Sequence, residues 1–212
     1  MMEAQSCLHP GGLDFTTRLL AETDLQPGAA ILDAGCGDGI TVDWLREHGY
    51  DAFGIDRKPG QVTSWIQQGT LQHLPYADNQ FAAIISECTA FICGDTKAML
   101  EETDRVMKAD GWLLLADVYF KEDAKPLPQF ADGRPVTLAQ WQTLLEDCGF
   151  AIQHIEDVSA AWKPFVIEQL WAGRTLEDLW GGCLADGQTS PMQYKPGYLL
   201  LWAKKKGANA NE

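Results

Sequence analysis

The 212-residue sequence predicts an α/β fold, a doubly wound and mostly parallel sheet with helices on both faces, and three observations point to it. Short apolar runs, glycine-containing turns and helical patterns alternate several times along the chain, as strand-helix-strand units do. The apolar runs are continuous, as in Leu113-Leu114-Leu115, which is how strands buried on both faces read. A chain of this length can also bury most of its apolar surface in one core, so residues 1–212 are expected to form a single domain.

Residues 1–28 read as an entry segment and helix, leading to a first strand at Ala30–Asp33 and the glycine-rich turn Asp33-Ala34-Gly35-Cys36-Gly37-Asp38-Gly39. Further strands are expected at Ala52–Ile55, Phe81–Ser86, Trp112–Asp117, Ala151–Ile155 and Tyr198–Ala203. Met99, Thr103, Val106 and Met107 recur at helical spacing, with Gly111 placed for a left-handed helix end. Thr137 and Gln140 form a capping box ahead of Leu138, Trp141, Leu144, Leu145 and Cys148, and Gly149 follows. Lys163–Trp180 reads as a helical insertion before the last strand, and residues 161–182 as a lid carrying Trp162, Phe165, Trp171 and Trp180. Residues 204–212 read as a polar tail whose basic run, Lys204–Lys206, is solvated.

Composition excludes several function classes. The chain is 46% hydrophobic and 22% charged, as globular proteins are, and no window approaches the roughly 18 to 20 apolar residues of a membrane span. Its first ten residues lack the pattern of an export signal, so a cytoplasmic protein is expected. The six cysteines form no CxxC pair and are read as reduced thiols, with no metal site. A net charge of −14 opposes nucleic acid as a partner.

In open α/β sheets ligands collect at the carboxyl ends of the strands, where glycines let backbone approach them. The spacing here is Gly35-x-Gly37-x-Gly39, with Ile40 where a dinucleotide fingerprint needs another small residue. Asp33, at the strand end, repels a pyrophosphate and favours a ligand carrying positive charge. Asp56 ends the second strand near the offset at which a carboxylate accepts from ribose hydroxyls. A nicotinamide-dependent oxidoreductase is therefore the weaker reading of this turn.

Together these residues resemble the motifs of the class I S-adenosylmethionine-dependent methyltransferases, which implies a Rossmann-like seven-stranded sheet and that methyl donor as cofactor. Gly69–Tyr76 is similar to the family segment that brackets the adenine after the third strand, with Thr70 where an Asp is frequent and Leu71 as the firmer contact. Ala82 and Ala83 follow Phe81 where relatives carry Phe-Asp. Leu100–Tyr119 resembles the helix and strand that end in an acid near the substrate, here Asp117. His9-Pro10-Gly11-Gly12-Leu13 and Lys195–Leu200 look like a narrower group, the small-molecule methyltransferases of anaerobic bacteria, distant relatives of the quinone-biosynthesis and arsenite methyltransferases. The resemblance assigns the cofactor to Asp33, Ala34, Gly35, Cys36, Gly37, Asp56, Arg57, Thr70, Leu71, Ser86 and His9.

Methyl transfer is an in-line displacement that needs an aligned acceptor and dry surroundings more than a nucleophile. The acceptor is expected to be a small, planar or apolar molecule. Glu87 and Asp117 are the candidate catalytic acids, with His73 and Tyr119 as lesser candidates for a base, and His154 reads as an edge histidine. Cys88 and Cys93 admit a thiol role toward a soft acceptor such as arsenite. Ser86-Glu87-Cys88-Thr89 stands where base-methylating enzymes carry an N-P-P-Y motif, which disfavours nucleic acid. Thr70 and Ala82 leave open a non-catalytic sensor or scaffold that binds S-adenosylmethionine.

Overall fold

A computed structural model describes residues 9–121, 134–175 and 196–207. Helix α1 (Gly12–Ala21) precedes β1 (Ala30–Ala34), α2 (Ile40–Glu47), β2 (Asp51–Asp56), β3 (Ile66–Gln68) and β4 (Phe81–Glu87). Then follow α3 (Thr96–Val106), β5 (Met107–Phe120), α4 (Leu138–Asp147), β6 (Phe150–Asp157), α5 (Trp162–Trp171) and β7 (Pro196–Lys205). The seven strands form one sheet in the order β3-β2-β1-β4-β5-β7-β6. It is mixed: β1, β2, β3, β4 and β5 pair in parallel, while β7 runs antiparallel to both β5 and β6.

The core follows the apolar runs. Ile31, Leu32, Ile84, Ile85, Leu113, Leu114 and Leu115 are fully buried, as are Leu199, Leu200 and Leu201 across the antiparallel seam. Helix α1 packs on β5 and β7 and is pinned there by the Trp202 indole, which donates to the Leu19 carbonyl. The Thr137–Gln140 capping box forms, and Gly149 ends the α4 turn with φ 89°. His154 lies exposed on the edge strand β6 against the Trp202 ring.

One strand is added and three expectations are corrected. Strand β3 is three residues long, Ile66-Gln67-Gln68, and its single apolar residue gives no periodic signal. Met107 belongs to β5, where it pairs with Phe81 across an irregularity, and Asp110 rather than Gly111 takes the positive φ there. Helix α5 stops at Trp171, not Trp180, because Gly173 turns left-handed; residues 176–195, including Trp180 and the last third of the expected lid, lie outside the described residues. The basic run is no solvated tail: Lys204 and Lys205 lie in β7, Lys204 stands over the Trp112 ring, and the Lys205 ammonium donates to the Asp104 and Met107 carbonyls. Among the described residues no helix is long and apolar enough to cross a membrane.

Helix α3 anchors the segment after β3. The Arg105 guanidinium donates to the Leu74 and Tyr76 carbonyls and to Asp78 and Glu102, while Glu102 accepts from the Leu74 amide. Arg105→Ala is expected to cost about 1–3 kcal/mol, because two loop carbonyls lose their donor and Glu102 keeps only the Leu74 amide. Urea unfolding measures this loss, and faster amide exchange confined to residues 69–78 shows where it acts.

Candidate functional site

The four central parallel strands each bring an acid to their carboxyl ends: Asp56 on β2, Asp33 on β1, Glu87 on β4 and Asp117 on β5. Buried carboxylates need compensating donors, and three of the four have them. Asp56 accepts from the backbone amides of Gly37 and Lys58, at 3.1 and 2.7 Å. Asp117 accepts from the amides of Phe91 and Val118, at 2.9 and 2.7 Å. Glu87 accepts from the hydroxyls of Thr16 on α1 and Thr41 on α2, at 2.8 and 3.1 Å, with His9 Nε2 3.4 Å away. Asp33 is only 3% exposed, and no donor among the described residues reaches its carboxylate. Burial first, and then the charges of Glu87 and Asp56, hold its pKa well above the ordinary carboxylate range. Burial likewise pushes the Asp117 carboxyl up to about 7, against the opposing pull of its backbone donors.

Above this row lies a groove in two parts. A cavity of about 250 Å³ is lined by His9, Asp33, Gly35, Cys36 and Gly37 at one side and by Phe91, Val118, Trp162, Phe165 and Arg174 at the other. Glu87, Cys88 and Asp117 also line it. A smaller cavity of about 170 Å³ is lined by Asp56, Arg57, Leu71, Gln72 and Cys93. Gly35, Thr89 and Ile92 line both, so the two cavities are ends of one groove divided by the glycine turn.

The turn is shaped to leave that groove open. Gly35, at φ 96°, packs so closely on the Thr89 side chain that a Cβ there would run into it. Gly37, at φ 50°, faces empty space, with no heavy atom within 4 Å of where a Cβ would stand. The turn is held from below as well, since the amides of Gly35 and Cys36 donate to the Ile55 carbonyl of β2.

Most of the expected site residues come together here. His9, Asp33, Gly35, Cys36, Gly37, Glu87 and Asp117 reach the larger cavity, and Asp56, Arg57 and Leu71 the smaller one. Ala34, Ser86 and Thr70 line neither: Ala34 and Ser86 are buried within the sheet, and Thr70 is exposed and bridges to His73. Neither His73 nor Tyr119 lines either of these two cavities. Thr16, Thr41, Thr89, Gln72 and Arg174 were not singled out in the sequence, since nothing local marks them. Burial pushes the thiols of Cys36 and Cys88 well above their ordinary range and that of Cys93 up to about 11. Among the described residues no cluster of His, Cys, Asp or Glu could hold a metal ion.

A ligand fit to this groove needs a cationic group for Asp33, open contact with the glycine turn, and a group for His9 Nε2, which is buried without a hydrogen-bond partner. S-adenosylmethionine, with sulfonium and ammonium charges, a carboxylate and an adenosine, meets those needs.

Comparison with known proteins agrees. Residues 32–115 match a family model described as a methyltransferase domain. The uncharacterized methyltransferase YodH of Bacillus subtilis is 30% identical over 163 residues, covering 67% of this chain and 68% of that protein. Among solved structures, the [4+2]-cyclase SpnF superposes with a TM-score of 0.71 at 23% identity, covering 92% of this chain and 81% of that one. Phosphoethanolamine N-methyltransferase 2 of Haemonchus contortus, in complex with phosphomonomethylethanolamine and S-adenosylhomocysteine, superposes at 0.68 and 14% identity, covering 95% of this chain and 55% of that one. The two structural likenesses show a shared fold. The chain belongs to the methyltransferase family and is a class I, S-adenosylmethionine-dependent member of it.

Two expectations follow from the buried acids. Asp117 ionises near 4 in the unfolded chain and near 7 in the fold, so the folded protein keeps a proton that the unfolded one gives up. The stability of the cofactor-free protein that depends on this group is therefore complete below about pH 4 and is lost as the pH rises through about 7. Urea unfolding between those limits is expected to show a flatter pH slope for Asp117→Asn than for wild type. Glu87→Ala leaves two threonine hydroxyls without their acceptor and is expected to cost about 2–3 kcal/mol. Loss of amide-exchange protection in α1 and at the start of α2 locates that effect.

Proposed function

We propose that the chain transfers a methyl group from S-adenosylmethionine to a small molecule seated in the larger cavity. The observation that carries this reading is the single groove: an adenosine-sized end beside Asp56 and Leu71, an unpaired carboxylate at Asp33, and an apolar chamber beyond it. When bound, the cofactor supplies a sulfonium methyl group to a nucleophilic acceptor.

The chain's own residues hold, align and dry the site. Asp33, His9 and the Gly35-Cys36-Gly37 backbone take the methionyl end, and Asp56, Arg57 and Leu71 take the adenosine. Asp56 is already committed to the Gly37 and Lys58 amides, so it orders the turn while presenting what remains of its acceptor capacity. Phe91, Ile92, Val118, Trp162 and Phe165 wall the chamber and exclude water from the reacting atoms.

Glu87 and Asp117 act mainly as positioning residues. Both oxygens of each are bonded to the protein, Glu87 tying α1 and α2 to the end of β4 and Asp117 ordering the Phe91 wall. An acceptor that must lose a proton finds a group able to take it in Asp117, whose carboxyl titrates near neutrality.

A concave, mostly apolar chamber of about 250 Å³ and a net charge of −14 both favour a small molecule over nucleic acid. The residues His9–Leu13 support a place among the small-molecule methyltransferases of anaerobic bacteria; Lys195 of the second motif lies outside the described residues. The protonated thiols give the arsenite reading no support. A scaffold reading founded on Thr70 also weakens, because that side chain stands outside the groove.

Calorimetry is expected to show S-adenosylmethionine binding to wild type and none to Gly37→Trp, whose indole fills the open face of the turn. A cell extract incubated with methyl-labelled cofactor should yield labelled small molecules and S-adenosylhomocysteine. Tight cofactor binding with no label transferred would turn the assignment toward a sensor.

A further inference from the structure

We infer that Arg174 makes the chamber an oxyanion site, so that the methyl acceptor is a small molecule with an apolar body and a carboxylate or phosphate group. This rests on the methyl-transfer reading above and names the acceptor class for that same site.

The backbone at Arg174 is fixed by the end of α5. The Gly173 amide donates to the Leu170 carbonyl and the Arg174 amide to the Gln169 carbonyl, with Gly173 at φ 83°. This pair of bonds is a Schellman cap, and it places the residue two beyond the helix cap in one defined position. The Arg174 side chain is thereby delivered to the chamber, alongside Trp162 and Phe165 from α5 and Phe91 and Val118 from the sheet ends.

Its guanidinium has no carboxylate, carbonyl or hydroxyl partner among the described residues. Arg134, the other arginine near this wall, is by contrast engaged with the Phe91 carbonyl at 2.8 Å and the Phe91 ring. Asp33, Glu87 and Asp117 line the same chamber, yet none forms an ion pair with Arg174. Charge is thus separated within one cavity, with acids along the strand ends and, at Asp38, on the glycine turn, and one guanidinium among the described residues on the helical wall.

A half-buried guanidinium facing an apolar chamber has lost much of its hydration without gaining a partner. A carboxylate or phosphate, each presenting a pair of oxygens, can offset that loss by accepting from paired N–H donors, and a point charge such as a lysine ammonium matches it less well. The protein's net charge of −14 repels anions at long range, so an anionic acceptor requires a local cation to hold it. The apolar walls take the remainder of the molecule.

The test uses wild type, Arg174→Leu and Arg174→Lys. S-adenosylhomocysteine binding is measured first by calorimetry and is expected to agree within about twofold in all three. With S-adenosylhomocysteine saturating, 1-naphthoate, 1-naphthyl phosphate and neutral 1-naphthamide are then titrated as probes. Wild type should bind one or both anions at least about tenfold more tightly than the amide, and Arg174→Leu should lose that preference, with Arg174→Lys between them. The better of the two anions tells a carboxylate from a phosphate acceptor. In parallel, label transferred to a cell extract should appear in compounds that an anion-exchange resin retains.

Equal binding of anions and amide by wild type, or no anion binding, overturns the inference. So does an Arg174→Leu variant that loses S-adenosylhomocysteine affinity about tenfold, since Arg174 then serves the methionyl carboxylate, and so does label found only in unretained compounds. Failure of methyl transfer itself registers separately, as an absence of label in any fraction while the naphthyl probes still report on Arg174.

Discussion

Four carboxylates crowded at the ends of neighbouring strands set the terms for the rest of this molecule. Placed side by side, three of them buried and Asp56 half-buried, they repel one another and demand donors, and the chain supplies those donors from the surrounding loops and helices. Asp56 takes the amide of Gly37, Asp117 that of Phe91, and Glu87 the hydroxyls of Thr16 and Thr41. Each acid thereby fixes a piece of backbone that the groove needs. Asp33 alone is left without a donor among the described residues, in the lining of the larger cavity. The cost of burying it becomes a preference for a cation there.

How much of this was legible depended on whether the signal was local. The glycine turn, Asp33 and Asp56 were readable because strand, turn and acid lie close in sequence, and the Thr137–Gln140 capping box because its two halves are three residues apart. Thr16 and Thr41 were not, since their partner Glu87 is 71 and 46 positions away and a lone threonine in a helix carries no pattern. Arg174 was missed for a related reason, its meaning lying in the chamber it faces and the partner it lacks. β3 escaped because two of its three residues are glutamines. Lys205 was misread because a lysine near a chain end is commonly solvated, whereas this one reaches carbonyls of residues about a hundred positions earlier.

The fold by itself specifies less than the groove does. A protein named as a [4+2]-cyclase shares this architecture with a TM-score of 0.71, so a seven-stranded sheet of this order does not dictate one reaction. In this chain a wall is set over the sheet. Trp162 stacks toward Tyr198, whose hydroxyl donates to the Ala116 carbonyl and meets Cys88 Sγ, so the chamber wall is tied back to the antiparallel seam between β5 and β7. The inversion of β7 therefore reaches the site: it brings Tyr198 beneath the chamber, opposite Val118 in the pairing with β5.

The thiols beside the glycine turn carry a further meaning. A sulfonium methyl group is an electrophile, and a thiolate is the strongest nucleophile a protein side chain ordinarily offers. Cys36 and Cys88 both line the larger cavity, where the proposed function places that methyl group. Burial and the neighbouring acids hold both protons in place, with Asp33 and Asp56 acting on Cys36 and Asp117 on Cys88. On the proposed reading, the row of carboxylates that attracts the donor also helps keep nearby sulfur protonated, which protects the enzyme from becoming its own substrate.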